Sequence, residues 1–206
     1  MTFTSNVKNE LCSLNIPNIE EISELSAIIR NSYYDEETIR IVTENVLVAE
    51  RIYRIINKIY DIQPKIIVRK GYNYNKNYLY LLELKEVEYI LNDLKVERVP
   101  KEYLVADEEQ IKAYLRGLFL IKGSINDPQK SRYHLEFTVD NIEYANFIIK
   151  LLNQYYINAK TVKRENNYMI YVKEAERISD FLKLIGAAKA VLYFEDIRIY
   201  RDNANM

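Results

Sequence analysis

A chain of 206 residues with 49% hydrophobic content holds one compact domain or two small ones and builds a core without metals or cross-links. Its 29 Lys and Arg face 30 Asp and Glu, a formal charge of −1, which excludes a domain living wholly on phosphate contacts and confines any nucleic-acid contact to a local patch. The single Cys12 excludes an internal disulfide and the single His134 leaves too few soft ligands for zinc; with no signal peptide and no apolar run near the ~20 residues that span a bilayer, a soluble protein of the reducing cytoplasm is expected, with no metal and no cofactor.

Residues 1–18 form an opening segment. Spacing then predicts a helix over 19–33, in which Ser23 and Ala27 stand four apart on one face. From Ile39 the alternation IRIVT gives a strand that passes into helical spacing as far as Tyr60. KIIVR from Lys65 and NYLYLLELKE from Asn77 are two strands separated by Gly71 and its neighbouring asparagines. An amphipathic helix closes this stretch near residue 95, and 96–107, with Pro100, reads as a linker. A second helix is predicted over 108–123, carrying Ala113 and Gly117 four apart. The turn Asn126-Asp127-Pro128 leads to LEFTV from Leu135, another helix ending near Tyr156, strands KTVKR from Lys160 and NYMIYVKE from Asn167, and a last helical stretch to about residue 200.

The chain therefore repeats itself. IRIVTENVLVAERIYRIINKIY lies over LEFTVDNIEYANFIIKLLNQYY, matching Glu44-Asn45 with Asp140-Asn141, Ala49 with Ala145 and Tyr60 with Tyr156. Each copy reads as helix, strand, helix, strand, strand, helix, giving a first repeat at 19–95, a second at 108–200 and a tail at 201–206. Ser23 and Ala27 in one leading helix correspond to Ala113 and Gly117 in the other. A mid-helix glycine costs about 1 kcal/mol relative to alanine, so Gly117 predicts that another backbone comes close and that the two leading helices cross as a pair.

These helices carry a resemblance. LRGLFLIKG, from Leu115 to Gly123, resembles the LAGLIDADG motif, and LSAIIRNSY, from Leu25 to Tyr33, is a worn copy of it. The opening FTSNVKNEL and the closing FLKLIGAAKAVLYFEDIRI are similar to the two ends of the LAGLIDADG domain of the WhiA family, so the resemblance spans nearly the whole chain. It implies an α+β fold of two pseudo-symmetric repeats, with mixed or antiparallel sheets, helices on one face of each, and a paired-helix centre. It implies a monomer with an internal pseudo-dimer. It also implies a nucleoid-associated regulator of sporulation or cell division that binds promoter DNA. In that family a helix-turn-helix domain usually follows; none is present here, and the chain stops about where the linker to it would begin.

In LAGLIDADG nucleases an acid from each motif holds Mg²⁺ against the scissile phosphates. The matching positions here are Ser32 and Lys122, a poor ligand and a repelling cation, so no metal-dependent cleavage and no catalytic residue is expected. Asp35 and Asp127 lie nearby but read as turn residues. Lys122 either contacts a phosphate or faces the dipole of its own helix end.

Strand alternation separates the sheet faces. Ile39, Ile41, Leu135, Phe137 and Val139 point to the helices, leaving Arg40, Val42, Glu136 and Thr138 on the other side. By resemblance that side is the DNA-binding saddle, so Arg40, Lys65, Arg69, Lys160 and Arg164 on it are expected to contact double-stranded DNA, with Lys122 reaching a phosphate from its helix end near the pseudo-two-fold axis. Leu81, Glu83, Met169 and Tyr171 share the face and weaken it for DNA, which leaves a protein-interaction module as the alternative function and a homing endonuclease as the third.

Overall fold

The computed structural model describes residues 1–71, 77–96, 100, 104–130 and 132–206. In chain order it runs α1 (Phe3–Leu11), α2 (Asn18–Arg30), β1 (Tyr33–Tyr34), β2 (Thr38–Thr43), α3 (Val46–Tyr60), β3 (Lys65–Lys70), β4 (Tyr78–Lys85) and α4 (Glu88–Asp93). It continues with α5 (Glu108–Lys122), β5 (Gly123–Ile125), β6 (Leu135–Val139), α6 (Ile142–Asn153), β7 (Lys160–Lys163), β8 (Tyr168–Val172), α7 (Ala175–Ile185) and α8 (Ala188–Ala204). The strands form two four-stranded antiparallel sheets of the same order, β1-β2-β4-β3 and β5-β6-β8-β7, so the fold is α+β and duplicated as expected. Asn73 and Asn75 of the expected turn, and residues 97–99 and 101–103 of the expected linker, lie outside the described residues. Among the described residues no helix is long and apolar enough to cross a membrane.

The chain divides into two compact units, Asn15–Ile121 and a second made of Met1–Leu14 with Lys122–Met206. These units do not coincide with the repeats read from the sequence. Helix α5, which opens the second repeat, belongs almost wholly to the first unit, and α1 belongs to the second.

In the first unit, Ile39 and Ile41 of β2 and Leu82 and Leu84 of β4 are buried on the side of the sheet covered by α3. Their intervening neighbours Arg40 and Val42 are exposed, so period-two alternation is the burial pattern itself. Helix α3 answers with Val48, Ile52, Ile55 and Ile56; burying such a side chain stabilises the fold by about 1.5–3 kcal/mol. Helix α2 differs, because every residue from Ser23 to Arg30 is buried. A helix covered on all sides needs no amphipathic stripe, and its apolar residues are accordingly spread around it.

The second unit repeats the design. Leu135, Phe137, Val139, Ile170 and Val172 are buried under α6 and α7, with the rings of Phe137 and Phe181 meeting edge to face at 5.5 Å. The opening segment is a helix with two jobs here. The Thr4 hydroxyl donates to the Ile125 carbonyl at 2.9 Å and accepts from the Ile125 N–H at 3.0 Å, closing the edge strand β5. The Glu10 carboxylate accepts from Lys189 N at 2.7 Å and Ala190 N at 2.9 Å, capping α8, whose own N-cap residue Ala187 has no side chain able to do so.

Both copies start their middle helix alike. Asn45 accepts from Leu47 N and Val48 N at the start of α3, and Asn141 accepts from Tyr144 N at the start of α6. An asparagine cap is worth about 1 kcal/mol. Asn45→Ala and Asn141→Ala are each expected to lower the midpoint of thermal unfolding by about 2–4 °C, followed by circular dichroism. An unchanged midpoint in either variant would remove that cap from the account.

Candidate nucleic-acid interface

On the first sheet the helix-free face is fixed by register. Arg40 lies opposite Glu83, and Glu83 opposite Lys65, so the three form one row across β2, β4 and β3. Val42, Leu81 and Ile67 form the next, and Arg69 follows opposite Leu79. The faces are those expected from the alternation, with no slip. Lys65 and Arg69 are exposed and make no ion pair among the described residues. Arg40 is committed differently, its Nε donating to Glu83 Oε2 at 3.0 Å while its guanidinium lies 5.2 Å from the centre of the Tyr33 ring. That hydrogen bond, helped by the charges of Lys85 and Lys65, holds the Glu83 carboxyl below the usual range. Arg40 is therefore partly neutralised within its own sheet.

On the second sheet the corresponding row is Glu136, Tyr171 and Lys160, and the next is Thr138, Met169 and Val162. Lys160 and Arg164 are exposed. Arg164 stands just past β7, its N–H bonded to the Asn167 carbonyl at 2.8 Å, and its Nη2 lies 2.9 Å from Met169 Sδ, which leaves that methionine buried on an otherwise open face. A concavity of about 550 Å³ opens here, bordered by Arg132, His134, Arg164, Lys173, Met169 and Tyr171. Of these, sequence reasoning had named Arg164 as a cation for DNA and had set Met169 and Tyr171 against it. It missed Arg132, His134 and Lys173, although alternate positions on either side of Leu135 and Val172 carry the signal.

The leading helices meet inside the first unit. A Cβ built on Gly117 would stand 2.3 Å from the Glu24 carbonyl oxygen and 3.1 Å from Ala27 Cβ, so α5 approaches α2 to backbone contact at that point. Ala27 and Ala113 are fully buried. Ser23, also buried, sends its hydroxyl to the Leu104 carbonyl at 2.7 Å, tying α2 to the chain that precedes α5. Beside the glycine lies an ionic cluster that the sequence reading did not anticipate. Arg51 of α3 grips Glu24 with Nε on Oε2 at 2.8 Å and Nη2 on Oε1 at 3.2 Å, and Arg116 Nη1 reaches Oε1 at 3.4 Å. All three side chains are buried, and burial pulls Arg116 below its ordinary range against the opposing charge of Glu24. The arginine inside the apolar LRGLFLIKG was the available sign.

Of the two positions that match the motif acids, Ser32 belongs to the first unit and Lys122 to the second. Ser32 follows α2 and donates its hydroxyl to the Ile28 carbonyl at 2.7 Å, closing the end of that helix. Lys122 is the exposed last residue of α5. The nearby acids are engaged in turns. Asp35 accepts from Glu37 N at 2.9 Å, Thr38 N at 2.8 Å and the Tyr33 hydroxyl at 2.8 Å, and those bonds lower its carboxyl, the Glu37 N–H first. Asp127 accepts from Gln129 N and the Tyr193 hydroxyl, both at 3.0 Å.

Comparison with known proteins agrees with this geometry. Residues 18–96 match the family model of the WhiA N-terminal LAGLIDADG-like domain, and residues 111–204 that of the WhiA LAGLIDADG-like domain. "Probable cell division protein WhiA" of Lactiplantibacillus plantarum is 41% identical across the full chain, which spans 70% of that protein. The protein of the same name from Staphylococcus aureus strain Newman is 38% identical over the full chain and 69% of its own length. Among solved structures, full-length WhiA from Thermatoga maritima superposes with a TM-score of 0.80 at 25% identity, covering 98% of this chain and 67% of that one. The homing endonuclease I-DmoI in complex with DNA and Mn superposes with a TM-score of 0.57 at 14% identity, covering 82% of this chain and 98% of its own, a likeness of fold alone.

Two substitutions probe the helix pair. Gly117→Ala gains about 1 kcal/mol of helix propensity but puts a methyl into a backbone, and the net result expected is a loss of about 1–3 kcal/mol in chemical denaturation. Glu24→Gln removes the negative charge that two buried guanidinium groups share and is expected to cost about 3–5 kcal/mol, most of it recovered when Glu24→Leu is combined with Arg51→Met and Arg116→Met. A stability gain from Gly117→Ala, or a neutral Glu24→Gln, would contradict the packing described.

Proposed function

Because the chain belongs to the WhiA family, we propose that it acts as a non-cutting DNA-binding regulator, in cell division or sporulation, that meets duplex DNA through the helix-free faces of its sheets. The observation that carries this reading is the set of exposed cations on those faces. Lys65 and Arg69 on the first, and Lys160 and Arg164 on the second, are exposed and form no salt bridge among the described residues, although Lys65 lies opposite Glu83. Arginine and lysine on strands neutralise phosphates and hold a protein in register on a duplex. Lys122 adds a charge at the end of α5, and Arg40, already paired with Glu83, adds less.

With a net charge of −1 the whole chain gains nothing from long-range attraction, so contact by these faces alone is weak and strongly salt-dependent. The absence of cleavage follows from side-chain chemistry. At the two sequence positions that carry the motif acids in LAGLIDADG nucleases, this chain has a serine hydroxyl bonded to the Ile28 carbonyl and a lysine ammonium, neither of which serves as a ligand for a divalent cation. A second reading, a surface for another protein, is favoured by the apolar row of Val42, Leu81 and Ile67 beside these cations, of which Val42 is 48% exposed.

Fluorescence anisotropy of a labelled duplex, titrated with the chain at several salt concentrations, tests the reading. Binding that weakens steeply with salt is expected, together with at least a tenfold loss when Lys65, Arg69, Lys160 and Arg164 are all changed to Glu. Plasmid incubated with the chain and Mg²⁺ or Mn²⁺ is expected to stay intact. Absence of binding at low salt, or indifference to the four reversals, would leave the protein-contact reading in its place, and plasmid cutting would overturn the claim that the chain does not cleave.

A further inference from the structure

The duplicated sheets carry opposite charge at corresponding ends. With Ile39 laid over Leu135, Glu36 corresponds to Arg132, and Lys85 to Lys173. Around Lys85 in the first unit stand Glu36, Glu37, Glu86 and Glu88, four carboxylates against one ammonium. The concavity on the second unit is bordered by Arg132, Arg164 and Lys173 and by no carboxylate. None of those three cations makes an ion pair among the described residues. Three unneutralised cations around one hollow repel each other and leave it short of an anion.

The floor of this hollow is not a plain phosphate cradle. Tyr171 and His134 lie with ring planes only 12° apart and centroids 6.4 Å apart, Lys173 Nζ stands 5.2 Å from the Tyr171 ring centre, and Met169 and Val162 add apolar surface. His134 Nε2 lies 3.7 Å from Glu136 Oε2, so this neighbouring carboxylate faces the imidazole, and it is not among the residues that border the hollow. Aromatic rings offer a face on which any base stacks, and guanidinium groups offer planar forks to phosphate oxygens. A volume of about 550 Å³ falls in the range of pockets that take a small ligand.

We propose that this concavity is a nucleotide site, holding a base against Tyr171 and its phosphates between Arg132, Arg164 and Lys173. Two sources supply that chemistry, a free nucleoside polyphosphate acting as an effector and a nucleotide within a DNA strand. Only the second rests on the DNA-binding reading above. Among the described residues the first sheet lacks this arrangement, since Glu83 stands where the second sheet has Tyr171.

The test is isothermal titration of the full chain with ATP in metal-free buffer and, separately, with inorganic pyrophosphate, alongside duplex anisotropy. Arg132→Glu, Lys173→Glu, Tyr171→Ala and Tyr171→Phe are compared with Lys183→Glu, a matched charge change on α7. If the site takes free nucleotide, ATP binds, each charge reversal weakens it at least tenfold, Tyr171→Ala weakens ATP more than pyrophosphate, and Tyr171→Phe restores it. If the site serves a strand, ATP fails to bind and the same variants weaken the duplex where Lys183→Glu does not. Duplex binding untouched by these variants, with no ATP binding, overturns the site and leaves the DNA reading standing. ATP binding with no duplex binding does the reverse. Equal affinity for ATP and pyrophosphate, indifferent to Tyr171→Ala, overturns the nucleotide assignment in favour of a bare anion site.

Discussion

Two helices can approach to backbone contact only where a side chain is missing, and in the first unit that place is Gly117 against the Glu24 carbonyl. Much follows from this one approach. It buries Glu24 so fully that its carboxylate must find cations in the protein, and Arg51 and Arg116 supply them from two other helices. A buried ionic trio of this kind adds little net stability, but it penalises every packing that separates its members. The glycine permits the crossing, and the charges exclude its alternatives. Because β1 begins three residues after α2 ends, the direction of that helix also sets where the first strand enters its sheet.

The sheets were the most legible part of the chain. Alternation at Ile39–Thr43 and Leu135–Val139, followed in both copies by helical spacing behind an asparagine cap, reports burial directly, and the register bears out the faces assigned from it. The short edge strands β1 and β5 were missed because two or three residues cannot display a period. The ionic cluster was missed for another reason. Periodicity marks which residues are apolar, whereas Glu24 and Arg116 are charged residues inside helices buried all round, and only their partner on α3 explains them. The hollow on the second sheet was half visible. Arg164 was named from its match to Arg69, but Arg132 lies in the loop that precedes β6, and Lys173, though inside the predicted strand NYMIYVKE, had no charged counterpart named on the first sheet.

Duplication gives two copies the same backbone and then lets them diverge at the same points. Lys65 and Lys160 remain matched, as do Arg69 and Arg164, and this matching is what the proposed duplex contact uses. Elsewhere the copies have parted. The row that pairs Arg40 with Glu83 on one sheet carries Glu136 and Tyr171 on the other, and the acidic end of the first corresponds to the basic hollow of the second. An assembly made of two separate identical chains would lack this freedom, since every change would appear twice.

The helix that closes β5 and caps α8 has a consequence for the order of assembly. The first unit is one unbroken stretch, Asn15–Ile121, whose contacts can all form once that stretch has left the ribosome. The second is discontinuous. Thr4 waits for Ile125, 121 residues downstream, and Glu10 waits for Ala190, 180 residues downstream, before either finds its partner. Through synthesis, then, α1 is an amphipathic segment whose Phe3, Val7 and Leu11 have no home, and the entropy of closing so long a loop is lightened when the intervening unit has already folded and shortened the span. Order of emergence thus opposes order of completion, and α1, made well before its partners, is among the last elements to be secured.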